Sequence, residues 1–435
     1  MTCDPVAIQL IRRMFEAALS AVDPAAAVSR TLQISDDQIT VDGTVVLLKG
    51  KLVVVAIGKA AERMAAGAVA ALRERIDSGY VVTKYGHTNG SLDSRFRVFE
   101  AGHPVPDQAG VDATRATLEA LEGLGEQDVV LALTSGGGSA LFEAPNEPVT
   151  LDDVARLTKL LLSAGAPIQD LNTVRIPLSA VKGGRLRQAC PAGTFVTLIL
   201  SDVLGNDPRV VASGPTVPGR LNNDDALDVL RKYRLTDVVP RSVNLALEQH
   251  TVTSPTGDKA DDLVVFVAGN STALEAAATS ARANGVPAEI VWREREGEAA
   301  VLGREWSAGL AEREGPAVLL GGGEATVTVR GDGAGGRNTE FALAAALELE
   351  RRDLDAWTVA SLATDGQDAL TDASGAIACA NTVRSAGALD LDPRRCLHNN
   401  DSLKVFEQAG GLVVTGPTGT NVNDLYFAVN LNRGK

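Results

Sequence analysis

The run Val129-Val130-Leu131-Ala132-Leu133 opens directly into Thr134-Ser135-Gly136-Gly137-Gly138-Ser139-Ala140. It is too short for a helix and is bounded by Glu126-Gln127-Asp128 on the other side. The pattern predicts a buried parallel strand emptying into a glycine loop at its carboxyl end, where open α/β sheets bind their ligands. Glycine there lets backbone amides approach a ligand that any Cβ would push away, and an anion suits such a place best. A second cluster, Gly321-Gly322-Gly323-Glu324 followed by Gly331-Asp332-Gly333-Ala334-Gly335-Gly336-Arg337-Asn338, reads as two turns in tandem. Ala317–Leu320 runs into the first and the alternating Thr326–Arg330 into the second. Phe341–Glu350 is a strong helix former, so Arg337 and Asn338 are expected at a helix amino end, where a cation calls for a nearby anion.

Strands and helices alternate along the chain. Leu52–Ile57, Gly79–Lys84, Arg97–Ala101 and Thr194–Leu200 read as strands, Lys59–Arg75 and Val111–Leu124 as helices. Thr150-Leu151-Asp152-Asp153 is a capping box that opens a helix closed by Gly165. Ile8, Ile11, Phe15, Ala18, Leu19 and Val22 fall at helical spacing and predict an amphipathic first helix. This βαβα rhythm predicts a mostly parallel, doubly wound sheet. The polar stretch Asn244–Asp262 is the expected linker, after which Leu263–Gly269 restarts the rhythm with a strand and Ser271–Asn284 with a helix. Later strands are less uniformly apolar, which predicts a mixed sheet in the second domain.

With 435 residues, 45% of them hydrophobic, the chain can bury a large core and reads as two domains, 1–250 and 251–435. A net charge of −14, without Lys/Arg patches, argues against a nucleic-acid surface and for a small-molecule partner. Cys3, Cys190, Cys379 and Cys396 show no C-x-x-C spacing, which suits a reducing cytoplasm better than a disulfide framework or a structural zinc site. Arg12-Arg13 interrupts the apolar residues near the start, so neither a signal peptide nor a membrane span is expected. Nothing in the sequence decides between a monomer and a homo-oligomer.

Gly331-x-Gly333-x-x-Gly336 matches the dinucleotide fingerprint only weakly, because the strand before it alternates and Arg337 follows where backbone alone usually meets a pyrophosphate. A P-loop is absent, and Ser271 lacks the last glycine of a nucleophile elbow. Lys59 follows a strand through the single glycine Gly58, so its ammonium is expected near the strand's carboxyl end, where a cation can neutralise a transferring phosphoryl group. Asp202, Glu324 and Asp365 follow strands in equivalent places, and magnesium needs only one or two carboxylates beside phosphate oxygens. His87, His103, His250 and His398 are too scattered for a histidine metal centre.

Further stretches tie these features together. They are Val55-Ala56-Ile57-Gly58-Lys59-Ala60-Ala61, Thr83-Lys84-Tyr85-Gly86-His87, Glu100-Ala101-Gly102-His103-Pro104-Val105-Pro106-Asp107 and Ser135–Ser139. They continue with Asn172-Thr173-Val174-Arg175, Lys182-Gly183-Gly184-Arg185, Ser201-Asp202-Val203, Ala212-Ser213-Gly214-Pro215, Gly335–Asn338, Thr364-Asp365-Gly366 and Thr415–Asp424. Together the chain resembles a glycerate 2-kinase of the class with a carboxyl-terminal MOFRL-type domain, a family some of whose members carry an older hydroxypyruvate reductase label. The resemblance implies two dissimilar three-layer α/β/α domains, a Rossmann-like glycerate kinase domain followed by the MOFRL-type domain, with the active site in the cleft between them. It implies Lys59 and Arg337 as catalytic residues. Where the family has Lys-His-Leu-Ser after the arginine, this chain has Ile176-Pro177-Leu178-Ser179. Where the family has Thr-Asp-Gly-x-Asp-Gly-Pro-Thr-Asp, this chain has Ala369-Leu370 in place of Gly-Pro, and Ala380-Asn381-Thr382 replaces a common Asp-Gly-Ser/Thr. Such changes at an acceptor pocket would favour a relative of glycerate as acceptor.

The expected activity is therefore ATP- and magnesium-dependent phosphorylation of the 2-hydroxyl of D-glycerate or a close hydroxy acid. Lys59 and Arg337 would stabilise the transferring group. Ser135, Gly136, Gly137, Gly138, Ser139, Lys182, Glu324 and Asn338 would hold phosphate or substrate, and Asp202 and Asp365 would reach the metal. The alternatives are an NAD(P)H-dependent hydroxypyruvate reductase and a non-catalytic binder of sugar phosphates.

Overall fold

The computed structural model describes residues 3–219, 222–249, 262–313, 315–369 and 371–432. It forms two compact units, Pro24–Val267 and Met1–Asp23 with Ala268–Lys435. The first helix thus joins the carboxyl-terminal unit, and the chain passes back at residue 267 rather than 250. Residues 250–261 of the expected linker, His250 among them, lie outside the described residues, while its start belongs to the helix Arg241–Gln249.

In the Pro24–Val267 unit, β1 (Leu32–Ser35), β2 (Gln38–Val41) and β3 (Thr44–Leu47) make a small antiparallel sheet. The main sheet has the order β6-β5-β4-β7-β8-β9, built from β4 (Leu52–Ile57), β5 (Ser78–Lys84), β6 (Phe96–Ala101), β7 (Val129–Ser135), β8 (Thr194–Leu200) and β9 (Leu263–Ala268). From β6 through β8 every neighbouring pair is parallel. All residues of β4 and β7 are buried, as their unbroken apolar runs require of central parallel strands. Val53, Val55, Ile57, Val130, Ala132 and Phe195 share one core, and burying each large side chain there contributes about 1.5–3 kcal/mol. Helices Leu151–Ser163, Ile168–Arg175, Asn223–Lys232 and Arg241–Gln249 close over a second core around Leu157, Leu161 and Val174.

β9 corrects the expectation that Leu263 restarts the rhythm in the second domain. It lies at the edge of the amino-terminal sheet beside β8. The cause is Asp262, whose carboxylate takes Arg187 Nε (2.6 Å), Arg187 Nη2 (3.1 Å) and the Phe195 amide (2.8 Å), tying the start of β9 to the start of β8.

The other unit carries a mixed sheet of order β10-β11-β15-β12-β13-β14. Its strands are β10 (Ala288–Glu298), β11 (Ala317–Thr326), β12 (Trp357–Ala363), β13 (Gly375–Cys379), β14 (Leu412–Val413) and β15 (Asp424–Asn430). Only β10 and β11 pair in parallel; the remaining pairs are antiparallel. The helix Pro5–Ala21 lies against β15, where Phe15 meets Phe427 edge-on at 6.4 Å. The helix Arg337–Arg351 is buried along most of its length, and Phe341 stacks on Tyr426 at 4.4 Å.

Two expectations fail here. Gly321-Gly322-Gly323 is not a turn but the middle of β11. These glycines are there because neighbours press on them. A methyl at Gly322 would lie 1.8 Å from Asn270 Oδ1, and one at Gly323 1.9 Å from the Arg295 carbonyl oxygen. Cys3 and Cys379 form a disulfide, their Cα atoms 5.7 Å apart across 376 residues of sequence. Sequence spacing could not show this pairing, because only the packing of the first helix on this unit brings the two together. No described helix is long and apolar enough to cross a membrane.

Candidate active site

Gly58 follows β4 with φ +124°, a conformation that excludes most side chains, and a methyl there would sit 2.3 Å from Ser135 Oγ. This close approach knits the ends of β4 and β7 together. The Lys59 amide donates to the Gly136 carbonyl (3.0 Å), and the Ala60 amide to Ser135 Oγ (3.2 Å). Thr83 Oγ1 donates to the Lys59 carbonyl at 3.4 Å, and His87 Nδ1 lies 3.2 Å from the same oxygen. Lys59 therefore sits in the turn, two residues before the helix Ala61–Leu72, rather than in a first helical turn.

The glycine loop wraps this lysine. A methyl at Gly137, φ +83°, would lie 3.1 Å from Lys59 Cε and 3.2 Å from His103 Cδ2. One at Gly136 would lie 1.8 Å from Asp202 Oδ2. Lys59, His103 and Asp202 are thus gathered about two residues that only glycine can occupy. Burial, with Lys59 and Lys84 adding like charge, pushes His103 down to about 4, so its ring is neutral near pH 7. Burial raises the Asp202 carboxyl and Lys59 partly offsets it. The Gly136 amide ends the β7–β8 ladder, in which Ser135 pairs with Leu200, and among the described residues no protein group accepts from the amide of Gly137.

Ser139 faces inward. Ser213 Oγ donates to Ser139 Oγ (2.9 Å) and lies 3.0 Å from Asn172 Oδ1, and Arg175 Nη2 donates to the Ser139 carbonyl (3.0 Å). Ala212, Ser213 and Gly214 all hold positive φ, and a methyl at Gly138 would lie 2.6 Å from Ala212 Cβ. Backbone strain of this kind persists where the surrounding packing over-determines it. Lys182, expected at the substrate, is instead buried, and its ammonium pairs with Glu143, which also faces Arg175 at 3.6 Å. Burial lowers Lys182 to about 8 against the pull of Glu143.

In the other unit Arg337 is the first residue of its helix, as expected. The anion it calls for is Asp424, which takes Nε at 2.6 Å and Nη2 at 3.0 Å. Burial disfavours charge on the guanidinium, but the paired carboxylate outweighs it and holds Arg337 above its ordinary range. Asn338, expected to touch substrate, is fully buried: Nδ2 donates to Asp424 Oδ1 (3.0 Å), and Oδ1 accepts from Ser361 Oγ (2.5 Å).

The loop 331–336 likewise turns its amides to the protein. Arg330 and Gly331 donate to Asn400 Oδ1, Ala334 to Asp401 Oδ1 and Gly336 to Thr339 Oγ1. Glu324 lies exposed within β11, accepting from Asn423 Nδ2 at 3.1 Å. Asp365 follows β12, with one oxygen taking the Gln367 amide at 3.0 Å. Among the described residues no group of three or more His, Cys, Asp or Glu side chains could hold a metal ion.

Asp424, Asp368, Arg175, Glu143, Ser213 and His103 are the site neighbours that the sequence reading left without a role. Only Asp424 and Asp368 had a signal, the cation at a helix amino end that calls for an anion.

Comparison with known proteins agrees with this architecture. Residues 10–248 match a domain of unknown function (DUF4147), and residues 317–424 match the MOFRL family. The chain is 41% identical to the D-glycerate 2-kinase of Thermotoga maritima, covering 98% of this chain and 97% of that protein. It is 40% identical to the glycerate 2-kinase of Pyrococcus horikoshii, covering 96% of each. The crystal structure of glycerate kinase from Thermotoga maritima superposes with a TM-score of 0.86 at 39% identity, over 97% of this chain and 99% of that one. On this evidence the chain belongs to the glycerate 2-kinase family in which the DUF4147 domain is followed by a MOFRL domain.

Proposed function

We propose that the protein transfers the γ-phosphoryl group of ATP to the 2-hydroxyl of D-glycerate or a close hydroxy acid. The observation that carries this reading, beyond family membership, is the Gly136-Gly137 turn. Among the described residues the Gly137 amide has no protein acceptor, and a lysine stem is packed against the turn at the carboxyl ends of the central strands. In the reaction the hydroxyl oxygen bonds to the γ-phosphorus and the bond to the β,γ-bridging oxygen breaks. ADP leaves with that electron pair, and the hydroxyl proton goes to water. Lys59 offsets charge on the transferring group, with Arg337 as the second cation. The amide of Gly137 takes a phosphate or carboxylate oxygen. Lys182 and Asn338 support the loop and the arginine from beneath rather than touching substrate.

Asp202 follows β8 and Asp365 follows β12, and a single carboxylate of either kind suits magnesium carried on nucleotide phosphates rather than a dedicated protein cage. Bound there, magnesium would neutralise phosphate charge. The reductase alternative finds no support at Gly331–Gly336, whose amides are engaged by Asn400, Asp401 and Thr339.

Incubation of purified protein with ATP, magnesium and D-glycerate, followed by phosphorus NMR, tests the reading. It is expected to give the 2-phosphate. Absence of any phosphorylated product, with D-glycerate and with a panel of 2-hydroxy acids, overturns it.

A further inference from the structure

Asp424 is the first residue of β15, a strand hydrogen-bonded on both sides by β11 and β12. Its carboxylate is fully buried, whereas 26% of the Arg337 side-chain surface remains open. A guanidinium offers five N–H donors in one rigid plane. Asp424 takes one from Nε (2.6 Å) and one from Nη2 (3.0 Å), leaving both Nη1 donors and the second Nη2 donor for other partners. The carboxylate is itself held: Asn338 Nδ2 donates to Oδ1 at 3.0 Å, and Asn338 is fixed in turn by Ser361 at 2.5 Å and by Asp368, which accepts its amide at 2.9 Å. Three strands and one helix therefore converge to set a single plane and edge for one arginine.

We propose that Asp424 is the positioning residue for Arg337, fixing its outer edge toward the transferring phosphoryl group while touching no substrate itself. This rests on the assignment of Arg337 above. Fixing the plane in advance removes the ordering cost of a long side chain from the transition state. Carboxylates that act this way are receptors for guanidinium, which gives a readout that a merely structural residue would not move.

Arg337→Ala is expected to lower kcat about 10²- to 10³-fold, and added guanidinium chloride to restore part of it with saturation. Asp424→Asn alone is expected to lower kcat about 10- to 100-fold, with KM for ATP changed less than about threefold. In the Arg337→Ala background Asp424→Asn should cost nothing further and should abolish guanidinium rescue. Should Asp424→Asn fail to fold, Asp424→Glu serves the same comparison, because its carboxylate is displaced by one methylene and should weaken rescue. Equal rescue with and without the native carboxylate, or a further tenfold loss in the double variant, overturns the role of Asp424 alone. Near-native kcat in Arg337→Ala overturns the assignment of Arg337, and that of Asp424 with it.

Discussion

The carboxylate of Asp368 lies across the first turn of the helix Arg337–Arg351, accepting the Asn338 amide at 2.9 Å through Oδ1 and the Thr339 amide at 2.8 Å through Oδ2. Two amides that a helix leaves unpartnered are thereby satisfied, at the positive end of its dipole. The helix end that the sequence marked for an anion is thus filled by the protein's own. Asp368→Ala is expected to destabilise the fold by about 2–3 kcal/mol, read from urea unfolding midpoints. A loss below about 0.5 kcal/mol would refute the capping role.

Gly136 faces Asp202 too closely for any side chain, since a methyl would stand 1.8 Å from Oδ2. Gly136→Ala must displace the loop or the carboxylate, and kcat/KM is expected to fall about 100-fold or more. Activity within a few-fold of the parent would show that the turn does not carry the reaction.

Lys59→Ala removes the ammonium but leaves the turn intact, because the turn is held by the backbone of residue 59 and by Ser135. The expected outcome is a drop in kcat of about 10²- to 10³-fold, with the thermal midpoint nearly unchanged. Calorimetry beside steady-state kinetics separates the two effects.

Ala369 holds φ +58° where the family resemblance has glycine. The left-handed conformation costs an alanine about 1 kcal/mol relative to glycine. Ala369→Gly is accordingly expected to stabilise the protein by about 0.5–1 kcal/mol, a gain detectable as a higher denaturation midpoint. No change, or a loss, would show that the backbone there is unstrained.

His103 titrates at about 4 in the folded protein, below the 6.5 of an ordinary histidine. Between those values the unfolded chain binds a proton that the native state refuses, so stability falls as pH drops from 6.5 to 4. Discounted for partial exposure, the loss is about 1–2 kcal/mol. Urea titrations of the parent and of His103→Gln across this range should show the shallower dependence in the variant; parallel curves would contradict the assignment.

The central strands of the amino-terminal sheet were legible because parallel strands buried along nearly all their length write themselves as mostly apolar runs; β4 and β8 have the limits that hydrophobicity predicts. The glycine loop after β7 was legible because glycine stands where Asp202 presses on Gly136 and Lys59 on Gly137. Gly321-Gly322-Gly323 misled because close approach inside a sheet and close approach to a ligand demand the same residue. Lys182 misled because a buried, paired lysine and a solvent-facing one are identical in sequence; Glu143, 39 residues away, makes the difference.

By itself the sequence determined the alternation of elements, the two glycine-rich segments and the two basic residues set beside them, since periodicity and backbone permissiveness are local properties of a chain. Tertiary structure alone decided that Cys3 meets Cys379, that Leu263–Ala268 joins the first sheet, and that Arg337 is held by Asp424. Those pairings join residues 63 or more positions apart, or 376 in the case of the cysteines, and only packing of complete sheets and helices brings such partners within bonding distance.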